Sequence, residues 1–274
     1  MKRIPAWLIS FSLMANGLFL FAIIYIAYRQ MPPQASATNP PRSLAKASPI
    51  PLAGNTGKRL ELSYEDWVAL LRTEVQVIVD KRPDNLAILM GDSLSQWFPP
   101  EFLPKNMEWL NQGISGEGTF GLLRRLKVID RTEPQLILVM IGINDLIRGE
   151  SEETLVANQL EIIRSLKQAH PNSKIILQSI LPHGDEQSTW ERRDRLLAVP
   201  NTKIQKINQR LQIIAKEQKV SYLDLYPIFS DSQGKLKLSL TTDGLHLNPE
   251  GYLVWSIALK IFLQVEAGDI SSSS

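Results

Sequence analysis

Four short motifs supply residue types that could together cleave an ester. They are, in chain order, Gly91-Asp92-Ser93-Leu94, Asn111-Gln112-Gly113, Gly142-Ile143-Asn144-Asp145 and Asp243-Gly244-Leu245-His246. The first contains a hydroxyl, the last a carboxylate and an imidazole three residues apart, and the middle two an amide side chain and glycine N–H groups. A serine activated by a base and faced by donors for an oxyanion is what acyl transfer requires. The set predicts a serine-dependent ester hydrolase.

Ser93 is the predicted nucleophile. At the start of a helix its hydroxyl and N–H lie at the positive end of the helix dipole, which favours a developing anion. As an isolated pair, Asp92 and Ser93 would more simply cap that helix, since both types are good N-caps. Ser115 is the alternative, but Glu117 stands where a Gly-x-Ser-x-Gly elbow needs its last glycine. The order of the four motifs therefore favours Ser93.

His246 is the predicted base, and Asp243 its partner. Deprotonating a serine requires an imidazole that a carboxylate fixes in one tautomer, and a spacing of three residues lets both side chains face the same way. Of the other two histidines, His170 ends a helix and is predicted to interact with its dipole. His183 is predicted to be a solvated loop residue or to line the pocket. No two histidines stand at ligand spacing, which argues against a metal site.

Asn144 and Gly113 are the predicted oxyanion donors, together with the backbone N–H of Ser93. Each such donor is typically worth ~100-fold or more in turnover. Taken singly, the motifs around Asn144 and Gly113 are equally compatible with turns. Their position between the serine and the Asp/His pair is what favours a catalytic role.

The four motifs resemble the GDSL, or SGNH, hydrolase family, from about Leu86 to the C-terminal helix. The resemblance implies a flavodoxin-like fold, no cofactor, and a site formed by Ser93, Gly113, Asn144, Asp243 and His246. One departure is Glu117-Gly118, where members often have Asp-Thr. The family includes esterases, lipases, thioesterases, carbohydrate deacetylases and acyltransferases, so a small-molecule, lipid or glycan ester stays open as substrate. An acyltransferase on the same site and a catalytically silent binding domain are the alternatives.

Short apolar runs alternate with helix-period segments from about residue 60 onward. The strand-like runs are Leu86–Met90, Leu136–Ile141, Lys174–Ser179 and Val220–Leu223, and a less certain strand surrounds Trp109. The helical segments are 64–79, Leu122–Ile129, Leu155–Leu166, Ile204–Ile214 and a last helix from Pro249 to Phe262. Such alternation predicts the α/β class, with a mostly parallel, doubly wound sheet between two helix layers. Ligands of such sheets bind at the carboxyl ends of the strands, where the motifs lie.

The N-terminal segment is predicted to anchor the protein in a membrane. Lys2 and Arg3 precede Ala6–Tyr28, an uncharged apolar stretch long enough to cross a bilayer as one helix. The predicted organisation is an anchor at 1–30, a Pro/Ala/Ser-rich linker at 31–58, a hydrolase domain at 59–270 and a tail at 271–274. The catalytic domain is expected in the periplasm or at the cell surface. The alternative is secretion after cleavage of a signal peptide near Ala35-Ser36-Ala37.

Charge and composition exclude several classes of function. Residues 1–58 contain six basic and no acidic residues, so the rest of this chain of net charge +2 is mildly acidic. Nucleic acid is therefore not an expected partner, since phosphate binding needs clustered Lys and Arg. The absence of cysteine removes disulfides and a thiolate nucleophile. The oligomeric state is left open.

The segment 182–202 fits neither a helical nor a strand period. A loop of this length inside a compact domain is usually functional or mobile. We predict that it shapes substrate access, with His183, Trp190 and Leu196 contacting substrate. The alternative is a surface excursion that never meets the substrate.

Overall fold

The computed structural model describes residues 62–272 and, for side chains, residues up to 266. The predicted anchor and linker lie outside this range. Among the described residues, no helix is both long enough and apolar enough to cross a membrane. The C-terminal helix continues to Ser272, so the predicted tail begins inside it.

A five-stranded sheet forms the centre of the described chain. Its strands are β1 (Leu86–Gly91), β2 (Glu108–Gly113), β3 (Leu136–Met140), β4 (Lys174–Gln178) and β5 (Ser221–Leu223). All four neighbouring pairs are parallel, in the order β2-β1-β3-β4-β5. This is the flavodoxin-like order of doubly wound sheets. Strands β1 and β3 are buried along their whole length, which explains why they are continuous apolar runs without alternation.

Helices cover both faces of the sheet. They are α1 (Tyr64–Lys81), α2 (Ser93–Gln96), α3 (Thr119–Arg125), α4 (Ile143–Ile147), α5 (Glu152–Ala169), α6 (Arg193–Leu197), α7 (Asn201–Gln218), α8 (Tyr226–Phe229) and α9 (Pro249–Ser272). Successive strand residues alternate between two cores: Ile88 packs with α1, α5 and α7, whereas Leu89 packs with α8 and α9. The predicted parallel sheet between helix layers is confirmed.

Several predicted boundaries differ from the structure. The motif Asn111-Gln112-Gly113 forms the end of β2 instead of following a strand. The predicted helix Leu122–Ile129 is split, because α3 ends at Arg125 and a short 3-10 helix, Leu126–Ile129, follows. The segment 182–202 contains a 3-10 turn at Asp185–Gln187 and helix α6. Helix α6 has only five residues, too few to show a helical period in the sequence. Burial of Leu196 in the core stabilises it.

Candidate active site

The carboxyl ends of three neighbouring strands bring the first three motifs together. Gly91, the last residue of β1, pairs in register with Gly113 of β2 and with Met140 of β3. An added Cβ on Gly91 would collide with the Met140 carbonyl, and one on Gly113 with the backbone N of Gln96. The two glycines therefore let helix α2 pack directly against the strand ends.

Ser93 is the first residue of α2 and is buried. Asp92 caps the helix, because its Oδ1 accepts the Leu94 N–H at 3.0 Å. The Ser93 N–H belongs to the first turn, where N–H groups have no acceptor within the helix. Two further bonds hold α2 in place: Tyr252 Oη donates to the Leu94 carbonyl at 3.1 Å and Asn111 Nδ2 donates to the Ser95 carbonyl at 2.7 Å.

Asp243 and His246 form a hydrogen-bonded pair. His246 Nδ1 lies 2.7 Å from Asp243 Oδ2, while Asp243 Oδ1 accepts the backbone N–H groups of Leu245 and His246 at 2.9 and 2.8 Å. Burial alone would raise the pKa of Asp243, but these hydrogen bonds outweigh it and hold the pKa below its usual range. An ionised Asp243 places a proton on Nδ1, which leaves Nε2 as the proton acceptor.

Trp97 connects this pair to the helix of Ser93. Its ring centroid lies 4.5 Å from that of His246, with the planes tilted by 35°. Trp97 directly follows α2, and its backbone N–H donates to the Ser93 carbonyl at 3.0 Å. The imidazole thus packs against the end of the short helix that Ser93 begins. The structure brings the fourth motif to the same edge of the sheet as the other three.

The three predicted oxyanion donors differ in their present bonding. Asn144 Nδ2 donates to the Glu117 carbonyl at 3.1 Å, and its amide carries a second N–H. The Gly113 N–H donates to Asn111 Oδ1 at 2.9 Å. The Gly113 N–H could therefore donate to an oxyanion only by sharing or breaking its bond to Asn111. The Ser93 N–H and the second N–H of Asn144 could donate to an oxyanion without breaking an existing bond.

A buried ion pair supports the loop behind Asn144. The guanidinium of Arg125 bonds both carboxylate oxygens of Glu117, at 2.6 Å for the shortest contact, and also donates to the Gln112 carbonyl at 2.6 Å. Tyr64 Oη donates to Glu117 Oε1 at 3.0 Å; burial, with Glu117 adding to it, raises the pKa of Tyr64 to about 12, so the phenol keeps its proton. Glu117, the departure from the family pattern, thus fixes the carbonyl that orients Asn144.

The segment 184–190 is hydrogen-bonded to the loop that contains Asp243 and His246. The Asp243 carbonyl accepts three bonds, from Ser188 Oγ at 2.8 Å and from the N–H groups of Thr189 and Trp190 at 2.8 and 3.0 Å. The Gly184 N–H donates to the Gly244 carbonyl at 2.7 Å. We call these four bonds the Asp243 clasp. Sequence reasoning missed it, because no local pattern marks a loop that binds another loop through its backbone.

The three side chains predicted to contact substrate are placed differently. Leu196 is fully buried in the core, and Trp190 packs partly buried against the same core. His183 is buried too: its Nδ1 accepts the Asp185 N–H at 3.0 Å and its Nε2 lies 2.6 Å from the Val199 carbonyl. Because Nδ1 accepts a backbone N–H, the proton lies on Nε2, which can donate to the Val199 carbonyl; burial also lowers the pKa of His183. The prediction that His183 is a solvated loop residue is wrong, because its side chain is buried. Contact of His183, Trp190 or Leu196 with a substrate stays a prediction.

His170 lies at the C-terminus of α5, as predicted, and its side chain is buried, which lowers its pKa. Its interaction with the helix dipole stays a prediction.

Two clefts flank the loop from Gly113 to Glu117. The first, of about 550 Å³, we call the arginine cleft; it is lined by Tyr64, Ser115, Phe120, Arg148 and Asn158, among others. The second, of about 750 Å³, we call the tryptophan cleft; it is lined by Trp67, Glu74, Trp97, Trp109 and Gly113, among others. Helix α1 contributes to both clefts, with Tyr64 in the arginine cleft and residues from Trp67 to Ile78 in the tryptophan cleft.

Replacing Gly244 by alanine is expected to destabilise the fold and to lower turnover. Gly244 has φ +87°, and an added Cβ would lie 2.6 Å from Ser188 Cα, so both strain and a clash would push the Asp243 clasp apart. We expect the free energy of unfolding to fall by more than the ~1–3 kcal/mol that backbone strain alone costs. Gly149→Ala is the matched control, because Gly149 has φ +83° with nothing within 4 Å of a Cβ. If the two variants lost the same free energy of unfolding in urea, the predicted steric clash at Gly244 would be contradicted.

Asp92 is expected to make stability depend on pH. Burial, with the charges of Asp145 and Glu117 adding to it, raises the pKa of Asp92 from 3.8 to about 7. A raised carboxyl pKa gives stability that is complete below pH ~4 and is lost as pH rises through about 7. Between pH 4 and 8 the wild type should lose up to about 4 kcal/mol relative to Asp92→Asn, which keeps a capping oxygen. Parallel pH profiles of unfolding for the two proteins would contradict this.

Comparison with known proteins agrees with the fold and the motifs. The sequence profile of the GDSL-like Lipase/Acylhydrolase family matches residues 83–254. The chain is 26% identical over 193 residues to platelet-activating factor acetylhydrolase IB subunit alpha2 of Gallus gallus, covering 68% of this chain and 78% of that protein. The chain belongs to the GDSL-like lipase/acylhydrolase family, and this membership supports ester hydrolysis in general.

Solved structures agree with this. A candidate platelet activating factor from Streptococcus pneumonia is 28% identical, with a TM-score of 0.64, and 73% of this chain and 95% of that chain are covered. A GDSL-like lipase from Bacteroides thetaiotaomicron is 22% identical, with a TM-score of 0.62, covering 73% of this chain and 99% of that chain, and shows the shared fold.

Proposed function

We propose that the protein hydrolyses carboxylic esters through an acyl-enzyme on Ser93. The observation that carries the proposal is the Asp243–His246 pair, bonded at 2.7 Å and packed through Trp97 against the helix that begins at Ser93. Family membership supports ester cleavage in general, and the geometry supports these residues for it.

In the proposed reaction, His246 Nε2 accepts the proton of Ser93 Oγ while Oγ bonds to the ester carbonyl carbon. The oxyanion accepts hydrogen bonds from the Ser93 N–H and Asn144 Nδ2, with Gly113 N–H joining if it releases Asn111. Collapse of this intermediate breaks the ester C–O bond, and His246 returns the proton to the departing alkoxide. A water molecule, deprotonated in the same way, then releases the acid and regenerates Ser93.

The acyl group and the alcohol are open to test. The name of the Gallus gallus relative supports an acetyl ester as the first substrate to assay. An acyltransferase would use the same residues and differ only in that an alcohol, instead of water, accepts the acyl group.

The test is labelling of the full chain with a fluorophosphonate probe, combined with a panel of esters of increasing acyl length. Ester hydrolysis together with labelling at Ser93 supports the proposal. Label elsewhere would contradict the nucleophile. No label and no turnover would favour a silent binding domain, and acyl transfer to added alcohols that exceeds hydrolysis would favour the acyltransferase.

We also propose that Ala6–Tyr28 is an uncleaved anchor that holds the catalytic domain outside the cytoplasm. The uncharged run and the preceding Lys2 and Arg3 support it. Protease added to intact spheroplasts is expected to release an active fragment cut between residues 31 and 58. Full protection until the membrane is permeabilised would place the domain inside, and a soluble form that starts near Thr38 would indicate signal cleavage.

A further inference from the structure

Exposed apolar side chains gather around the two clefts. Seven large apolar residues are exposed among the residues with described side chains: Leu70, Val77, Trp97, Phe120, Ile213, Leu238 and Val265. Trp97, 50% exposed, lines the tryptophan cleft, and Phe120, 62% exposed, lines the arginine cleft. Leu70, 42% exposed, lies on α1, which contributes residues to both clefts. Single exposed apolar residues need no explanation, but a group around a site indicates a binding surface.

The first turns of α1 connect these residues into one surface. Trp67 lines the tryptophan cleft beside Trp97, and Tyr64, one turn earlier, lines the arginine cleft beside Phe120. Leu70 follows Trp67 by one turn on the same side of the helix. We call Trp67, Leu70, Trp97 and Phe120 the apolar rim. The rim borders both clefts and includes the residue whose ring packs against His246.

Helix α1 begins at this same edge. Tyr64 Oη donates to the Glu117 carboxylate, and the backbone carbonyl of Glu117 accepts a hydrogen bond from Asn144 Nδ2. Helix α1 therefore starts beside the proposed oxyanion site. The sequence before it comprises the apolar stretch Ala6–Tyr28 and a Pro-rich segment of residues 31–58. A linker of this length limits the reach of a domain but does not by itself fix its orientation. An apolar surface beside the point of attachment would supply that orientation.

The chemistry of the rim suits a lipid surface. Two of its four members are tryptophans, which favour the level of the headgroups, where an apolar ring and a polar N–H are both satisfied. The guanidinium of Arg124 lies 5.8 Å from the centre of the Phe120 ring, and Arg148 lines the adjacent cleft. Arginines beside exposed aromatic side chains can bind lipid phosphates while their aliphatic stems cover apolar surface.

A second copy of the chain fits the rim less well. A stable protein interface buries at least about 1,200 Å² in total, whereas a fully buried aromatic side chain contributes about 150–250 Å². Four partly exposed side chains separated by two clefts fall short of that area. Insertion into headgroups needs no complementary protein shape.

We propose that the apolar rim seats in the headgroup region of a bilayer, so that the proposed active site takes its ester from the membrane. The docking depends only on the exposed side chains of the apolar rim. That the substrate is a membrane-borne ester rests in addition on the proposed ester hydrolysis.

The test uses the full chain reconstituted in vesicles of phosphatidylcholine and phosphatidylglycerol, in a Trp7→Phe background. Vesicles with brominated phosphatidylcholine report contact, because bromine quenches tryptophan fluorescence at the interface. Turnover is measured for a long-chain ester held in the vesicles and for a water-soluble short ester. The rim variant is Leu70→Ser/Phe120→Ser, and the control is Ile213→Ser/Leu238→Ser, which removes equally exposed apolar residues elsewhere.

The rim variant is expected to lose most of the quenching and at least fivefold of the vesicle-ester rate, with the soluble-ester rate within twofold of wild type. The control should change neither quantity. Quenching and vesicle-ester rates equal to wild type in the rim variant would overturn the docking, as would a dimer in detergent that the rim variant alone abolishes. Strong quenching with no turnover of either ester would instead count against the proposed hydrolysis and leave the docking supported.

Discussion

Replacing Ser93 by alanine is expected to abolish ester turnover and fluorophosphonate labelling while leaving the fold unchanged. Loss of a triad nucleophile typically costs ~10⁶-fold in turnover, because the covalent route disappears. The fold should survive, since α2 is held by Asp92, Asn111 and Tyr252 through bonds that do not use the Ser93 hydroxyl. Turnover, labelling and urea unfolding of the variant measure these three expectations.

Ser115→Ala is the matched control for this variant. Ser115 lies in the arginine cleft, and its tether to Gln96 Oε1, at 2.7 Å, uses the backbone N–H, which alanine retains. Its turnover should stay close to wild type. Labelling that persists in Ser93→Ala and disappears in Ser115→Ala would overturn the assignment of the nucleophile.

Asp243→Asn is expected to lower turnover by ~10³–10⁴-fold, by analogy with the serine-protease triad. The side-chain carbonyl oxygen can still accept the Leu245 and His246 N–H groups, so the loop should keep its shape. The amide nitrogen would then face His246 Nδ1 and donate to it. This moves the imidazole proton to Nε2, where the base can no longer accept the proton of serine.

The variant Asp231→Asn is the control for the effect of the same substitution on a turn of this kind. Asp231 Oδ1 also accepts two backbone N–H groups, those of Gln233 and Lys235 at 2.8 and 3.0 Å, but lies in another loop. Its turnover should match wild type, and both variants should unfold at similar urea concentrations. A loss of less than tenfold in Asp243→Asn, with chemistry rate-limiting, would show that the carboxylate does not orient the base.

The sheet was predictable because its central strands are defined locally. The runs at Leu86–Met90 and Leu136–Ile141 are apolar throughout, and the structure buries both. Parallel strands also place their carboxyl ends together, so motifs tens of residues apart could be assigned to one edge before any contact was known. The Asp243–His246 bond follows from the same kind of local reasoning, since three residues separate the partners.

The support of the site was not predictable, because it depends on which polar side chains become buried and on contacts between segments distant in sequence. Glu117 and Arg125 are eight residues apart, and nothing in their spacing indicates that both would be buried. Ser188 lies 55 residues from Asp243, whose carbonyl it bonds. His183 resembled a loop histidine in sequence; the burial of its ring, with Nε2 beside the Val199 carbonyl, is a tertiary effect.

The Asp243 clasp has a consequence for how freely its sequence can change. Three of its four bonds come from backbone N–H groups, at Gly184, Thr189 and Trp190, and every residue except proline supplies that donor. The exposed side chains of Glu186, Gln187 and Thr189 are therefore open to exchange as long as the backbone path is kept. A library randomised at these three positions, with proline omitted, should retain mostly active members and offers a place to diversify the protein surface close to the catalytic loop.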